Sequence, residues 1–480
     1  MFTRIHFKHK LAVLKKITPH SIQSVFLFLF CSITVLKGYS QKIKAEQFNF
    51  TELAHLQATQ SFQKQGEHEL DRGWRYLKGN MPIPYGAKVM KQKFAAVPAP
   101  NTIETPSPIP LQSFLGHIDP INFIPPDCMG AVGLNEVVTA TNEFIIVHSK
   151  NGGAVLSKVT FSAFFNNTVM SDPYIQFDPY INRYWISGIS TTTTNKVFIA
   201  VSQTADPAGN WYRYSFTPTS TDGALLLDHP YLGFDNKLLV ITGRKFPNGA
   251  NFTGPILFCF NKDSLSAGNP ITFGTNAQTI EKTVADGDVP CPVTAFGLTS
   301  PASAFYIVQN WNGGASAIRL SSITGTLPNL TWNTSAAVFC SGGSPWSDAE
   351  LGNLAPQEEE SRKIAVNDAR ISSAQMVNGK IWCAHHIGLP ATGFNHTAVQ
   401  WWQLSTTGAV LQRGRIDDPA GLTSRYYPTI AVNPAENVII GYTISSPTTR
   451  VNAAYSTRTT TTPLNTTDDE YIFKGGISTY

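Results

Sequence analysis

Pro173-Tyr-Ile-Gln-Phe-Asp178 returns as Pro230-Tyr-Leu-Gly-Phe-Asp235 and, more loosely, as Pro428-Thr-Ile-Ala-Val-Asn433. Each copy leads through a short turn into an apolar run: Tyr184-Trp-Ile-Ser-Gly188, Leu239-Val-Ile-Thr-Gly243 and Val438-Ile-Ile-Gly-Tyr442. A Pro–apolar–Asp/Asn frame with the same sequel each time is an internal repeat whose unit is a few short strands. Such repeats predict a radial all-β array.

Working outward, the strand pattern holds from about Ser113. Val137-Val-Thr-Ala-Thr141, a turn at Asn142-Glu143, Phe144-Ile-Ile-Val147 and then Asn151-Gly152 read as consecutive hairpins. Val197-Phe-Ile-Ala-Val201, Asp206-Pro-Ala-Gly209 and Trp211-Tyr-Arg-Tyr214 read the same way. Blade starts fall at Pro126, Pro173, Pro230, Pro292, Arg370 and Pro428, at intervals of 47, 57, 62, 78 and 58 residues. These steps fit four-stranded blades, so the expected fold is an all-β, six-bladed β-propeller over residues 113–480. The fourth and fifth blades lack the phrase and are the least marked. Ser341 to Lys363, with Glu358-Glu-Glu360, is expected to be a mobile loop over one face. No apolar strand follows Lys474-Gly-Gly-Ile-Ser-Thr-Tyr480, so either N-terminal residues close the sixth blade or the chain is a shortened form.

The 480-residue chain is 14% charged and 11% aromatic, with a net charge of +4. Part of that charge sits in the leader, and no dense Lys/Arg stripe marks the body, which excludes nucleic acid as the expected partner. Lys8, Lys10, Lys15 and Lys16 precede the apolar run Val25–Leu36, and Gly38-Tyr39-Ser40 follows with cleavage-site spacing. Residues 1–40 therefore read as a signal peptide, cleaved before Gln41, because the run is short for the roughly 20 residues a spanning helix needs. Secretion or display at the cell surface, with no stable membrane span after cleavage, is the expected location. Residues 41–112 form a separate N-terminal segment: a polar stretch of helical tendency from Thr51 to Lys78, then a Pro-rich linker or strap through Val97-Pro-Ala-Pro100 and Pro106-Ser-Pro108-Ile-Pro110. Beyond Cys31 lie Cys128, Cys259, Cys291, Cys340 and Cys383, whose long, unequal spacings match neither a zinc site nor a compact disulfide scaffold. One disulfide among them is compatible with export, and an apolar strand context such as Phe258-Cys-Phe260 reads as a buried small hydrophobe.

The chain resembles secreted bacterial β-propeller proteins related in fold to sialidases and Asp-box proteins. The resemblance rests on Pro125-Pro-Asp-Cys-Met-Gly-Ala-Val-Gly133 with Thr141-Asn142, on Asp172–Asp178, on Ala200–Gly209 with Trp211-Tyr212, and on Tyr427–Asn433, and it covers most of residues 113–460. It implies the fold and leaves the activity open. Two departures stand out. The stretch Thr204-Ala-Asp206-Pro-Ala-Gly209-Asn-Trp211 differs by one residue on each side of its glycine from an Asp box, a hairpin lock in which Asp206 would bond turn amides. A Trp-Gly-Asp-Tyr-like closing strand, usual in such families, is also missing.

Several constellations could carry chemistry. Asp127, Asp172, Asp228 and Asp288 stand near the openings of innermost strands, positions that encircle a propeller's channel. Converging carboxylates there would hold Ca²⁺, with Asp127 and Asp288 as ligands, or act as a general acid–base pair, with Asp172 and Asp228 as the catalytic candidates. The bland alternative is that each Asp caps its own turn. Arg244, Arg370 and Arg425 at comparable positions would clamp an acidic sugar, or else form salt bridges between blades. His385 and His386 are adjacent on a strand and must point to opposite faces. Trp401-Trp402 and Tyr426-Tyr427 would offer a sugar-stacking shelf, with Tyr427 a ligand-binding candidate, or else fill the core.

The leading expectation is a monomeric, non-catalytic module presenting loops to an extracellular glycan or protein. A glycoside-active enzyme, a sialidase-like hydrolase or a lyase with its site at the channel mouth, is the alternative, and a scaffold in a surface assembly the third. Two carboxylates, or one with the arginine trio, converging in one solvent-filled pocket would favour the enzyme, and an exposed Trp/Tyr shelf with hydrogen-bonding side chains the binding module. A capped mouth with each blade-start Asp bonding its own turn would favour the scaffold.

Overall fold

The computed structural model describes residues 42–59, 83–91, 105–117 and 125–480, less 192–194, 250, 299–302, 313–315 and 348–350, together with the backbone of 67–68 and 123–124. The signal-peptide reading therefore lies outside the described residues. The body is a six-bladed β-propeller. Each proposed blade start falls in an innermost strand or within three residues of one: Met129–Val132, Met170–Asp178, Gly223–Phe234, Cys291–Pro292, Ser373–Val377 and Ser424–Val432.

The middle strands explain why the sheets stack in a ring. All six residues of Val197–Ser202 are buried, as are nearly all of Gly254–Asn261, Lys380–Leu389 and His396–Ser405. A sheet buried on both faces needs a neighbour on each side, and radial repetition supplies one. Phe216 of blade two meets Phe258 and Phe260 of blade three edge to face, and Trp382 and Trp401 of blade five pack with Ile440 and Tyr442 of blade six.

The repeated phrase has a separate job at each end. Its last residue closes the following turn: Asp178 Oδ1 accepts from the Tyr180 amide at 2.9 Å. Asp235 Oδ1 accepts from Lys237 and Leu238 at 2.7 Å, and Asn433 Oδ1 from Asn437 at 2.9 Å. Its first residue, the proline, lies on the edge of the sheet that faces the channel, where a missing amide donor breaks no ladder bond. Gly233 is fixed by packing, since a Cβ there would come within 2.7 Å of Pro292 at the start of blade four. The near-Asp-box turn also works as expected, with Asp206 Oδ1 accepting from the Ala208 amide at 2.9 Å.

The two blades without the phrase are built differently. After Cys291–Pro292 the innermost strand of blade four leaves its own sheet, and Thr294–Ala295 pairs in parallel with Gln375 and Met376 of blade five. The stretch expected as a mobile loop is instead partly a hairpin. Asn353–Gln357 pairs with Glu360–Ala365, and Leu351, Leu354, Ala355, Ile364 and Val366 pack under it against Tyr426. Glu358-Glu-Glu360 sits at the turn of this hairpin, and the apolar residues lie on its two arms. The sixth blade is closed by residues that follow it: Tyr471–Lys474 pairs with Ala453, Ala454 and Tyr455 as the fourth strand.

The N-terminal segment straps the rim rather than closing the ring. Glu46–Asn49 adds a fifth strand to blade two, and Lys88–Lys91 lies parallel to Val338–Ser341 on blade four. Pro106 bridges Asp469 beside blade six, where the Ser107 hydroxyl accepts from the Thr457 amide at 3.0 Å. The helix Phe50–Thr59 seats Phe50 among Phe164 and Trp211. Cys259, Cys291, Cys340 and Cys383 are buried and Cys128 is exposed.

One ion pair is sealed between blades two and three. Lys262 Nζ lies 2.8 Å from Asp178 Oδ2 with both side chains buried, under the rings of Tyr180 and Phe234. Asp178→Asn keeps the turn bond but leaves a buried ammonium without its counter-charge. It should cost about 3–5 kcal/mol in denaturant unfolding. Adding Lys262→Met should return most of that loss, and a double variant no more stable than Asp178→Asn would refute the assignment.

Candidate functional site at the channel mouth

The start of the innermost strands repeats a backbone device. Asp172, His229 and Tyr427, each directly before a proline, have φ of 54°, 53° and 50°, and Asp127 in blade one has φ of 48°. Where the prolines follow, the ladder register shifts between Ser171 and Tyr174, Asp228 and Tyr231, and Tyr426 and Thr429. These are β-bulges with a non-glycine residue in left-handed geometry, a strained conformation that the surrounding fold must enforce. Because blades repeat radially, the bulges gather at one end of the channel and re-aim one side chain each.

The charges that meet there come from most of the ring. Arg244, 1% exposed, donates from Nε to Asp288 Oδ1 at 2.9 Å and from Nη2 to Asp288 Oδ2 at 3.4 Å, and its Nη1 lies 3.6 Å from Asp228 Oδ2. Arg370 closes its fork on Asp368, Nε to Oδ1 at 2.6 Å and Nη2 to Oδ2 at 2.7 Å. Asn142, in the turn before Phe144–Ser149, ties two bulges together. Its Nδ2 donates to Asp127 Oδ2 at 2.8 Å and to the Pro125 carbonyl at 2.9 Å, while its Oδ1 accepts from the Asp172 amide at 3.0 Å. His229 Nε2 lies 3.1 Å from the Tyr231 hydroxyl. His386 Nε2 donates to the Val366 carbonyl at 2.5 Å and Nδ1 accepts from the Tyr427 amide at 3.4 Å, which fixes a neutral ring. The Tyr427 hydroxyl donates to the Ala365 carbonyl at 2.9 Å, yet the residue is 45% exposed.

The shared field divides the carboxylates into two kinds. Burial raises Asp127 to about 6, against the Asn142 bond that favours its charged form, and repulsion from Asp228 adds to the rise. Asp288 is raised by burial, with Arg244 opposing and Asp368 adding. Burial would also raise Asp368, but Arg370 and Arg244 outweigh it and hold that carboxyl well below its ordinary value. Burial depresses His229 strongly and repulsion from Arg370 adds to this, while burial brings His386 to about 4. Near neutral pH both imidazoles are neutral, and Asp127 and Asp288 are the carboxyls that hold their protons more tightly than usual.

The structure thus brings together Asp127, Asp228, Asp288, Arg244, Arg370 and Tyr427 among the residues singled out from sequence. Asp172 joins them through its amide bond to Asn142. Arg425 does not: its Nε donates to Glu470 Oε2 at 2.8 Å, inside blade six. The arginine trio is therefore a pair at the mouth; Arg244 bonds Asp288 at the approach to the next blade, whereas Arg370 closes locally on Asp368, two residues away. For Ca²⁺, no group of three His, Cys, Asp or Glu side chains suited to a metal occurs among the described residues. His385 and His386 do face opposite ways. His385 donates from Nδ1 to the Ala369 carbonyl at 2.9 Å and accepts from Trp402 at 3.1 Å inside the core. Trp401, Trp402 and Tyr426 are buried, and Tyr427 alone of the expected shelf reaches solvent.

Sequence reading passed over Asn142, His229, Asp368 and Tyr231. His229 was recoverable, since it occupies the residue before proline in the second phrase, as Asp172 and Tyr427 do in the other two. Asp368 has no such marker, because blade five lacks the phrase.

No family model and no curated protein matches the sequence. Similar solved structures include the α-L-arabinanase of Cellvibrio cellulosa complexed with arabinohexaose, at 9% identity and a TM-score of 0.31, covering 69% of this chain and 91% of that one. The catalytic domain of a GH62 α-L-arabinofuranosidase from Coprinopsis cinerea aligns at 12% identity and a TM-score of 0.30, covering 58% and 84%. The WD40 domain of SCAP from fission yeast aligns at 6% identity and a TM-score of 0.29, covering 72% and 74%. Enzymes and a WD40 domain stand side by side at this level, so these likenesses carry no argument about activity.

Asn142 stabilises the ionised form of Asp127, so Asn142→Ala should move the Asp127 midpoint upward from about 6. Carboxyl NMR titration against the Asp127→Asn spectrum measures this, and an unchanged or lowered midpoint would contradict the arrangement.

Proposed function

We propose that the chain is a glycoside hydrolase working at the channel mouth, with Asp127 as proton donor and Asp228 as the partnering carboxylate. The observation that carries this reading is the Asp127 carboxyl, held near 6 beside Asp228 in a ring of fixed charges. Glycoside hydrolysis asks for one carboxyl that keeps its proton and one that does not; Asp127, raised by burial, suits the first role, and Asp228, 3.6 Å from the Arg244 guanidinium, is the candidate for the second. Asp127 would protonate the glycosidic oxygen as the bond to the anomeric carbon breaks. Asp228, oriented by Arg244, would support the attacking side as base or nucleophile. Tyr427 offers an exposed ring for the apolar face of a sugar.

The module reading has less behind it. All eight described tryptophans, Trp185, Trp211, Trp311, Trp332, Trp346, Trp382, Trp401 and Trp402, are buried, which removes most of a stacking shelf. The meeting of Asp127, Asp228 and Asp288 at one end of the channel supports the enzyme reading. No helix among the described residues is long and apolar enough to cross a membrane.

Hydrolysis should fall as pH rises through about 6, where Asp127 gives up its proton. Asp127→Asn should lower turnover by roughly 10²–10⁴-fold and remove that limb of the pH profile. Tyr427→Ala should mainly raise KM. A fluorogenic glycoside panel reads all three effects, and an Asp127→Asn protein that keeps wild-type turnover would refute the role.

Export is part of the proposal and rests on the pattern of residues 8–40. Expressed with its leader in a bacterial host, the chain should appear outside the cytoplasm with Gln41 as its first residue. Amino-terminal sequencing checks this, and an uncut cytoplasmic product would count against it.

A further inference from the structure

The two channel arginines look at first like a clamp for an acidic sugar, yet neither fork is available for one. Arg370 spends Nε and Nη2 on Asp368, and Arg244 spends Nε and Nη2 on Asp288 with Nη1 turned toward Asp228. Arg425, the third guanidinium of the expected clamp, is tied to Glu470 within its blade. The imidazole of His386 is fixed as a neutral tautomer by the Val366 carbonyl and the Tyr427 amide, and His229 faces the Tyr231 hydroxyl. With Asp127 holding its proton, Asp228, Asp288 and Asp368 stand against two guanidinium groups whose forks are already closed on them. The two channel arginines therefore have no fork open to an incoming anion.

Resting on the hydrolase reading of this site, we infer that the ligand is an uncharged saccharide, and that glycans bearing a carboxylate or sulfate at the bound ring are excluded. An incoming anion would have to displace Asp368 or Asp288 from its arginine, leaving that carboxylate partly buried and uncompensated beside further acids. Hydroxyl groups meet no such barrier. They donate to carboxylate oxygens, as the Asn142 amide does to Asp127 Oδ2. The same charge balance selects between the two glycoside chemistries. A β-eliminating lyase removes a proton beside a sugar carboxylate whose charge must be neutralised, and here the cations for that are already engaged. Hydrolysis needs no carboxylate on the sugar.

The test is a glycan array carrying neutral oligosaccharides beside their uronate and sialylated counterparts, followed by turnover of any binder. The wild-type protein should bind and cleave neutral members and bind matched acidic ones at least about tenfold more weakly, since like-charge juxtaposition at an interface costs about tenfold or more in affinity. Asp288→Asn, which frees the Arg244 fork, should narrow that gap, provided its circular dichroism and melting match the wild type. Acidic glycans bound as tightly as neutral ones, or cleaved by the wild type, would overturn this inference while leaving the hydrolase reading in place. If neither protein bound or cleaved any glycan, the hydrolase reading would fall, and this inference with it.

Discussion

A sheet that is apolar on both faces cannot be left with either one in water, and this constraint shapes the molecule. Val197–Ser202 and Gly254–Asn261 have almost no residue exposed, so no two-layer arrangement would satisfy them. Each sheet needs a partner on both sides, six such sheets close a ring, and the ring brings the starts of six innermost strands to one axis. The site follows from that closure. Asp127, Asp228, Asp288, Asp368 and Tyr427 lie far apart in sequence and belong to different blades or their approaches, and no local motif could have gathered them.

The bulge is where fold and site share residues. A proline on the channel-facing edge offends no hydrogen-bond ladder, and the residue before it is pushed out of the right-handed helical region. In blades two, three and six that residue takes positive φ, and the register slips behind it. The sequence is thus free to place Asp172, His229 or Tyr427 at one geometric position without disturbing the blade. Asn142 shows how the positions are held. Because one amide contacts Asp127, the Pro125 carbonyl and the Asp172 backbone, a shift in blade one would carry into blade two.

What sequence could reveal divides along the same line. The repeated phrase located four-stranded blades, and its terminal Asp or Asn marked the turns, because short-range hydrogen bonds leave a short-range signature. The strand-swapped junction at Thr294–Ala295 and the hairpin at Asn353–Ala365 left no such trace, being fixed by packing between blades. In the site, Asp127, Asp228, Asp288, Arg244 and Arg370 were legible from their spacing to strand starts. Their pairing was not, since an arginine at a strand start reads alike whether it faces a ligand, a channel acid or Glu470. Asp368 and Asn142 lie outside the phrase, and their roles are defined only by what the ring brings near them.

The ion pairs explain how so many charges coexist in a confined mouth. Arg370 and Arg244 hold Asp368 well below its ordinary value, whereas Arg244 only partly offsets the burial that raises Asp288. Asp127 is bonded by the Asn142 amide and repelled by Asp228, and burial lifts it to about 6. A third arginine at the position of Tyr427 would favour the ionised form of Asp127 and draw its carboxyl down. Arg425, two residues earlier in the chain, is instead paired with Glu470 inside its own blade.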